Sequence, residues 1–170
     1  MKLLRFGGPG KEKPAALDST GKIRDLSQHV VDFNPSTLNF ETLEKLKKIN
    51  LDSLPEVSSS TRIGSCIAKP GKFLAVGLNY SDHAAETNSE IPKEPIIFNK
   101  AVNCMVGPND NIVLPKHSKK LDWEIEIAFV IGKNTKYINE KDAPNHILGY
   151  CIVNDISERE WQKERGGTWD

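Results

Sequence analysis

The sequence predicts an α+β fold that is mainly β, with a small amino-terminal β-rich domain over residues 1–65 and a second segment over 66–170. Three observations point there: short apolar runs between tight turns, few stretches with helical spacing, and a change of character after Pro70, where a continuous apolar run closed by glycine appears. The chain has 170 residues, of which 38% are hydrophobic and 27% charged, enough for a core and too little one-sided charge for a disordered tail. Lys and Arg number 23 and so do Asp and Glu, so the formal net charge is zero. That balance excludes an electrostatic nucleic-acid binder.

Lys2 to Phe6, Ala15 to Leu17 and Lys22 to Leu26 read as strands of a small meander, with Asp18-Ser19-Thr20-Gly21 as one turn. From Thr42 the spacing of Leu43, Leu46, Ile49 and Leu51 predicts a short amphipathic helix. Pro55 and Ser58-Ser59-Ser60 end it and suggest a linker. Phe73-Leu74-Ala75-Val76-Gly77 then reads as a buried strand. Tyr80 to Thr87 is a brief helix opened by Ser81 or Asp82 as cap, and Pro92 and Pro95 forbid its extension. Ile96 to Phe98, Ile112 to Leu114, Trp123 to Ile131 and Gly149 to Val153 read as further strands, with Pro108-Asn109-Asp110 as a turn. The last element is a helix from about Ser157 to Arg165, with Ser157 and Glu160 at capping-box spacing and Gly166-Gly167 as its stop.

Cys66, Cys104 and Cys151 are odd in number and lack C-x-x-C spacing, which suggests neither a disulfide framework nor a thiolate zinc site. No signal-peptide run opens the chain, and no stretch approaches the roughly 18 apolar residues of a membrane span. A soluble, cytoplasmic protein without nucleic-acid or membrane partners is the expectation.

Three places carry candidate chemistry. Along Asp122 to Gly132, alternation of side chains makes Glu124 and Glu126 point the same way. Such a pair is either the wet face of a half-buried strand or a seat for a divalent cation, since hard oxygen ligands suit magnesium, calcium or manganese. Gly149 to Asn154 delivers Asp155 to a strand end, where it supplies a third oxygen ligand or merely compensates a helix amino terminus. Beyond it Arg159 and Gln162 share a helical face suited to an anionic substrate, or to solvent. His83 and Glu86, three apart, form a carboxylate-assisted general base or an ordinary surface pair. His29, His117 and His146 lack such neighbours and read as surface or structural.

Six stretches in register carry a resemblance: Val76-Gly77-Leu78-Asn79-Tyr80-x-Asp82-His83-x-x-Glu86, Pro95-Ile96-Ile97-Phe98-x-Lys100, Gly107-Pro108, Asp122-Trp123-Glu124-x-Glu126, Val130-Ile131-Gly132-Lys133 and Asn154-Asp155-x-Ser157-x-Arg159. Together they resemble the fumarylacetoacetate hydrolase family over residues 73–165, and the stretch before them resembles that family's amino-terminal domain. Asp155-Ile156-Ser157-Glu158-Arg159 and Glu164-Arg165-Gly166-Gly167 are most similar to the bacterial branch labelled ureidoglycolate lyase, 2-hydroxyhepta-2,4-diene-1,7-dioate isomerase or 2,4-diketo-3-deoxy-L-fuconate hydrolase.

The resemblance implies the first part of a mixed β-roll in the second segment. It implies a magnesium or manganese ion held by Glu124, Glu126 and Asp155, a water-activating dyad of His83 and Glu86 on a lid helix, and substrate contacts from Arg159, Gln162, Asn79 and Tyr80. The implied reaction is hydrolase or lyase cleavage of a small anionic 2-oxo or diketo acid through a metal-bound enolate, with isomerase, tautomerase or decarboxylase chemistry open on the same scaffold. A homodimer is implied too. The family's catalytic domain continues past the point matching Thr168-Trp169-Asp170, through a lysine-bearing glycine-rich segment, so the chain is expected to be a fragment of a longer reading frame. Two rival expectations are a catalytically silent binding module and a β-rich structural domain with a solvated acidic strand.

Overall fold

A computed structural model describes residues 1–167. Four antiparallel strands open the chain: β1 (Lys2–Phe6), β2 (Lys13–Leu17), β3 (Ile23–Asp25) and β4 (Glu56–Val57), paired in that order. The β2–β3 turn is organised by Asp18, whose Oδ1 accepts from the Thr20 amide (2.8 Å), the Thr20 hydroxyl (2.7 Å) and the Lys22 amide (3.0 Å), while Oδ2 accepts from Arg24 Nε (2.7 Å). Gly21, at φ 83°, takes the left-handed conformation that the turn requires.

Between β3 and β4, helix α1 (Phe40–Lys47) begins where the Asn39 side chain accepts from the Thr42 amide at 2.9 Å. It starts two residues before the predicted point and stops at Lys47; Leu51–Ser53 is a separate 3-10 turn. Leu46 is the buried residue of α1, and it packs with Ala16, Leu26, Val30 and Phe33 in the core, against which Leu3, Leu38, Ile49, Leu51 and Leu54 are half-buried. Phe33 and Leu26 are the largest fully enclosed apolar side chains there.

An ion network ties the first sheet to the second segment. Arg62 grips Asp110 through Nε–Oδ1 (2.7 Å) and Nη2–Oδ2 (2.6 Å), and its Nη1 donates to Gly7 O and Glu12 Oε1, both at 2.9 Å. Glu12 also faces Arg5 at 3.5 Å, and Arg5 in turn donates to both Asp32 oxygens (2.6 and 3.0 Å). Beside this network Gly107 lies so close to the preceding chain that an added Cβ would fall 2.1 Å from Ile63 O, so only glycine fits. Its amide donates to Asp110 Oδ2 at 2.6 Å.

The second segment is three antiparallel pairs: β5 (Leu74–Gly77) with β6 (Ile96–Asn99), β7 (Leu121–Asp122) with β10 (Ser157–Glu158), and β8 (Ile125–Ile131) with β9 (Ile147–Asn154). Helix α2 (Ser81–Glu86) lies between β5 and β6. The architecture is mostly β with few short helices, and in it the expected roll takes the form of separate two-stranded ribbons.

Five local expectations are corrected. The strand expected to be buried, β5, exposes Leu74 and Val76, and of its residues only Gly77 is buried. Ile112 to Leu114 is not a strand; all three residues are exposed, and no strand of the described residues pairs with them. The predicted strand 123–131 breaks at Trp123-Glu124, because β7 turns to pair with β10 while β8 pairs with β9. The cap of α2 is Tyr80, without a side-chain hydrogen bond, and the Asp82 carboxylate instead accepts from the His83 amide at 3.1 Å. The predicted capping box also fails: Ser157 lies in β10, its hydroxyl donating to Glu124 Oε1 (3.4 Å), and only Glu160–Arg165 is helical, as a π-turn. There the Glu160 amide is received by Glu158 Oε1 at 3.1 Å.

The core is small, so truncating its largest ring removes a large share of the buried apolar contact. Phe33→Ala should lower stability by about 3–5 kcal/mol in urea unfolding, whereas Val31→Ala, at a position 83% exposed, should change it little. The Asp18 carboxyl is held well below its ordinary range, first by the Thr20 hydroxyl, against burial, then by Arg24 and the turn amides. A folded value below the unfolded one gives stability present above the unfolded pKa of about 3.9 and lost as pH falls below it. Asp18→Asn should therefore weaken the fold at pH 7 and flatten its acid dependence; an equal loss at pH 7 and pH 2.5 would contradict the assignment.

Candidate active site

The site begins with an inversion. Along β8 the residues with exposed side chains are Ile125, Ile127, Phe129 and Ile131, whereas Glu126, Ala128 and Val130 lie on the half-buried side. Glu124, just before the strand, is half-buried as well, with a side chain 26% exposed. The two carboxylates therefore point the same way, as alternation requires, and that way is the covered face. The reading of a solvated acidic face does not describe this strand.

Asp155 joins them through the backbone. Its amide donates to Glu124 O at 2.8 Å, and the Glu124 amide is received by Asn154 Oδ1 at 3.2 Å, so the end of β9 is held against the start of β8. The carboxylates are already engaged by the chain's own cations and amides. Lys100 Nζ lies 2.9 Å from Asp155 Oδ1, and both side chains are under 20% exposed. Arg159 forms an ion pair with Glu124, donates from Nε to Asp122 Oδ2 at 3.0 Å and from Nη1 to Gln162 Oε1 at 2.9 Å. Burial works against the Arg159 charge, and the Asp122 and Glu124 carboxylates overcome it, leaving its pKa above the ordinary value. Asn79 Nδ2 reaches Glu126 Oε2 at 3.4 Å.

The structure thus links Glu124, Asp155, Arg159 and Gln162 through direct contacts, and separately links Asn79 to Glu126, two residues further along the chain from Glu124. Among the described residues no three His, Cys, Asp or Glu side chains converge on a single point that would seat an ion, and two of the carboxylates are paired with Lys100 and Arg159. The donor types, three carboxylates near adjoining strand ends, are the hard-oxygen chemistry that magnesium and manganese take. His83 is half-buried and Glu86 exposed on α2, and among the described residues no hydrogen bond joins them. Tyr80 is 43% exposed at the same end of β5. His146 is structural, its Nδ1 2.7 Å from the Thr135 hydroxyl.

Residue spacing assigned no role to Lys100 or Asp122 and gave Ser157 only a capping role, although all three lie within the motifs that carry the resemblance. Lys100 sits just past β6, and no local pattern shows that this strand end meets the end of β9.

Fold and site together define a mainly β protein with an acidic cluster at adjoining strand ends and a short helix beside it. Residues 72–169 match the family model described as fumarylacetoacetate (FAA) hydrolase C-terminal. The chain belongs to the fumarylacetoacetate hydrolase family. A Burkholderia ambifaria protein carrying the name "Putative hydrolase" is 52% identical over all 170 residues, which make up 60% of that protein. Among solved structures, a fumarylacetoacetate hydrolase from Exiguobacterium antarcticum superposes with a TM-score of 0.76 at 29% identity, covering 96% of this chain and 58% of that one. A 2-hydroxyhepta-2,4-diene-1,7-dioate isomerase from Mycobacterium marinum gives 0.68 at 29% identity, covering 99% and 59%. The chain spans about three fifths of the length of the relatives that it matches.

Arg159 neutralises two carboxylates at the β7–β10 junction, so removing its charge should loosen that pair first. In Arg159→Met, amide hydrogen exchange at residues 157–159 should accelerate markedly while exchange in β1 and β2 stays unchanged; uniform acceleration would mean that Arg159 supports the whole fold.

Proposed function

We propose that this chain carries the ion-holding and water-activating residues of a divalent-metal-dependent enzyme that cleaves a carbon–carbon bond in a small anionic 2-oxo or diketo acid. The observation that carries this reading is the placement of Glu124 and Glu126 on the covered side of β8, beside Asp155, while the apolar side of the same strand is exposed. Covering carboxylates at the expense of isoleucines runs against solvation unless they are paired; Lys100, Arg159 and Asn79 pair them here, and an ion would take the place of those partners. Family membership and similarity to a protein named a fumarylacetoacetate hydrolase support the same reading.

Glu124, Glu126 and Asp155 would hold the ion, and when bound there it supplies Lewis-acid polarisation of a substrate carbonyl. Everything else falls to the chain's own groups. Lys100 and Arg159, now on Asp155 and Glu124, become available to the substrate's carboxylate once those acids turn away from them. Gln162, bonded to Arg159, fixes the plane of the guanidinium. Asn79 and Tyr80 form the rim, and α2 carries His83, which would take a proton at its ring from the attacking water while Glu86 orients the imidazole. Pairing into a homodimer belongs to the same reading. A second outcome, proton transfer between substrate carbons rather than cleavage, is favoured by the similarity to a protein named an isomerase.

Calorimetric titration of magnesium and manganese, followed by oxalate as a bidentate oxo-acid mimic, tests the proposal. Saturable binding of either ion, oxalate affinity that depends on it, and a loss of more than about tenfold in Glu126→Ala are expected. Ion binding that Glu126→Ala leaves unchanged would contradict the assignment.

A further inference from the structure

We propose that Asp122 is a positioning residue: it holds Arg159 so that the guanidinium offers its Nη1–Nη2 edge to a ligand carboxylate when Glu124 is engaged elsewhere. The inference rests on the function proposed above and adds to it a residue outside the ion-holding and proton-moving set.

Strand pairing brings the two residues together. Asp122 lies opposite Ser157 and Leu121 opposite Glu158 in the β7–β10 pair, and the Arg159 amide, donating to Lys120 O at 2.9 Å, carries that pairing one residue further. The backbone of Arg159 is therefore fixed against the chain that presents Asp122. Asp122 is oriented in turn, because its Oδ1 accepts from the Trp123 amide at 3.0 Å and its Oδ2 accepts from Arg159 Nε, also at 3.0 Å.

A guanidinium has five N–H donors, and their assignment shows which edge is free. Nε is spent on Asp122, one Nη1 hydrogen goes to Gln162 Oε1 at 2.9 Å, and Nη2 forms the ion pair with Glu124 Oε1. One hydrogen on Nη1 and one on Nη2 remain. Once Glu124 leaves, a ligand carboxylate in its place meets two parallel donors on the Nη1–Nη2 edge, while Nε stays with Asp122. Gln162 is neutral and does not replace the lost countercharge. With a side chain only 17% exposed, Arg159 would otherwise be left covered and uncompensated beside a dication, which repels it. Among the described residues, Asp122 is the one carboxylate still paired with it once Glu124 has turned away. Its attachment at Nε, the nitrogen not offered to the ligand, lets it hold the guanidinium in place without competing for the binding edge.

The test is calorimetric titration of manganese, then oxalate, into the full chain, Asp122→Ala, Asp122→Asn, Arg159→Met and Asp122→Ala/Arg159→Met. Manganese affinity should stay within about threefold in Asp122→Ala while oxalate affinity for the manganese-loaded chain falls about tenfold, and Asp122→Ala should cost nothing further once Arg159 is methionine. Asp122→Asn keeps an acceptor for Nε, so its oxalate affinity should fall between the two, and it carries the test if Asp122→Ala loosens the β7–β10 pair. A merely structural role would lower both affinities together and add to the effect of Arg159→Met. That result, or oxalate affinity unchanged in both Asp122 variants, would overturn the inference and leave the proposed function standing. No manganese binding by the unsubstituted chain would overturn the proposed function and this inference with it.

Discussion

The chain Asp110–Arg62–Glu12–Arg5–Asp32 is the constraint on which the arrangement depends. Its two guanidiniums sit between three carboxylates, with Arg5 and Glu12 side chains each 9% exposed, so neither sign of charge is left alone away from water. Burial draws the Glu12 carboxyl upward, and Arg62 and Arg5 more than offset it, so it is held below its ordinary value. The Arg62 hydrogen bonds, followed by the Gly107 amide, do the same for Asp110. Through these bonds the turn after β1, the loop at Gly107 and the segment before β5 become one support. The hydrophobic core is confined largely to the first sheet and α1, so the second segment is positioned by polar contacts more than by apolar packing.

That division explains the character of the site. β8 and β9 form a ribbon with Ile125, Ile127, Phe129, Ile131, Tyr150 and Ile152 exposed on one face and the acidic residues on the other. Carboxylates on a covered face need partners, and Lys100 and Arg159 supply them. Opposite charges therefore already lie within ion-pair distance at these strand ends. The network at the first sheet is closed, because each arginine is bidentate on an aspartate, whereas the contacts at Asp155 and Glu126 are single bonds.

Much of this was legible in the residues. The alternation from Glu124 to Ile131 fixed which side chains share a face, and Asp18 to Gly21 announced its turn through an aspartate, a threonine and a glycine. Local pattern failed where tertiary pairing decided the outcome. Ile112 to Leu114 has strand composition but lies exposed without a pairing partner, and Ser157 has capping-box spacing but serves as a strand residue bonded to Glu124. Which face of β8 is covered was invisible as well, since alternation sets parity and not orientation. The contact between Lys100 and Asp155 joins residues far apart in the chain, and no spacing rule reaches it.

The central claim is that Glu124, Glu126 and Asp155 act together as the seat of one divalent ion. Paramagnetic broadening by manganese in a two-dimensional amide spectrum tests it most directly, because the effect falls steeply with distance from the ion. The account predicts selective loss of signals at residues 124–126 and 154–156 at low manganese, with β1 to β3 untouched, and recovery on adding excess magnesium. Broadening centred instead on the acidic 3-10 turn at Glu140 and Asp142, with residues 124–126 and 154–156 unaffected, would contradict it.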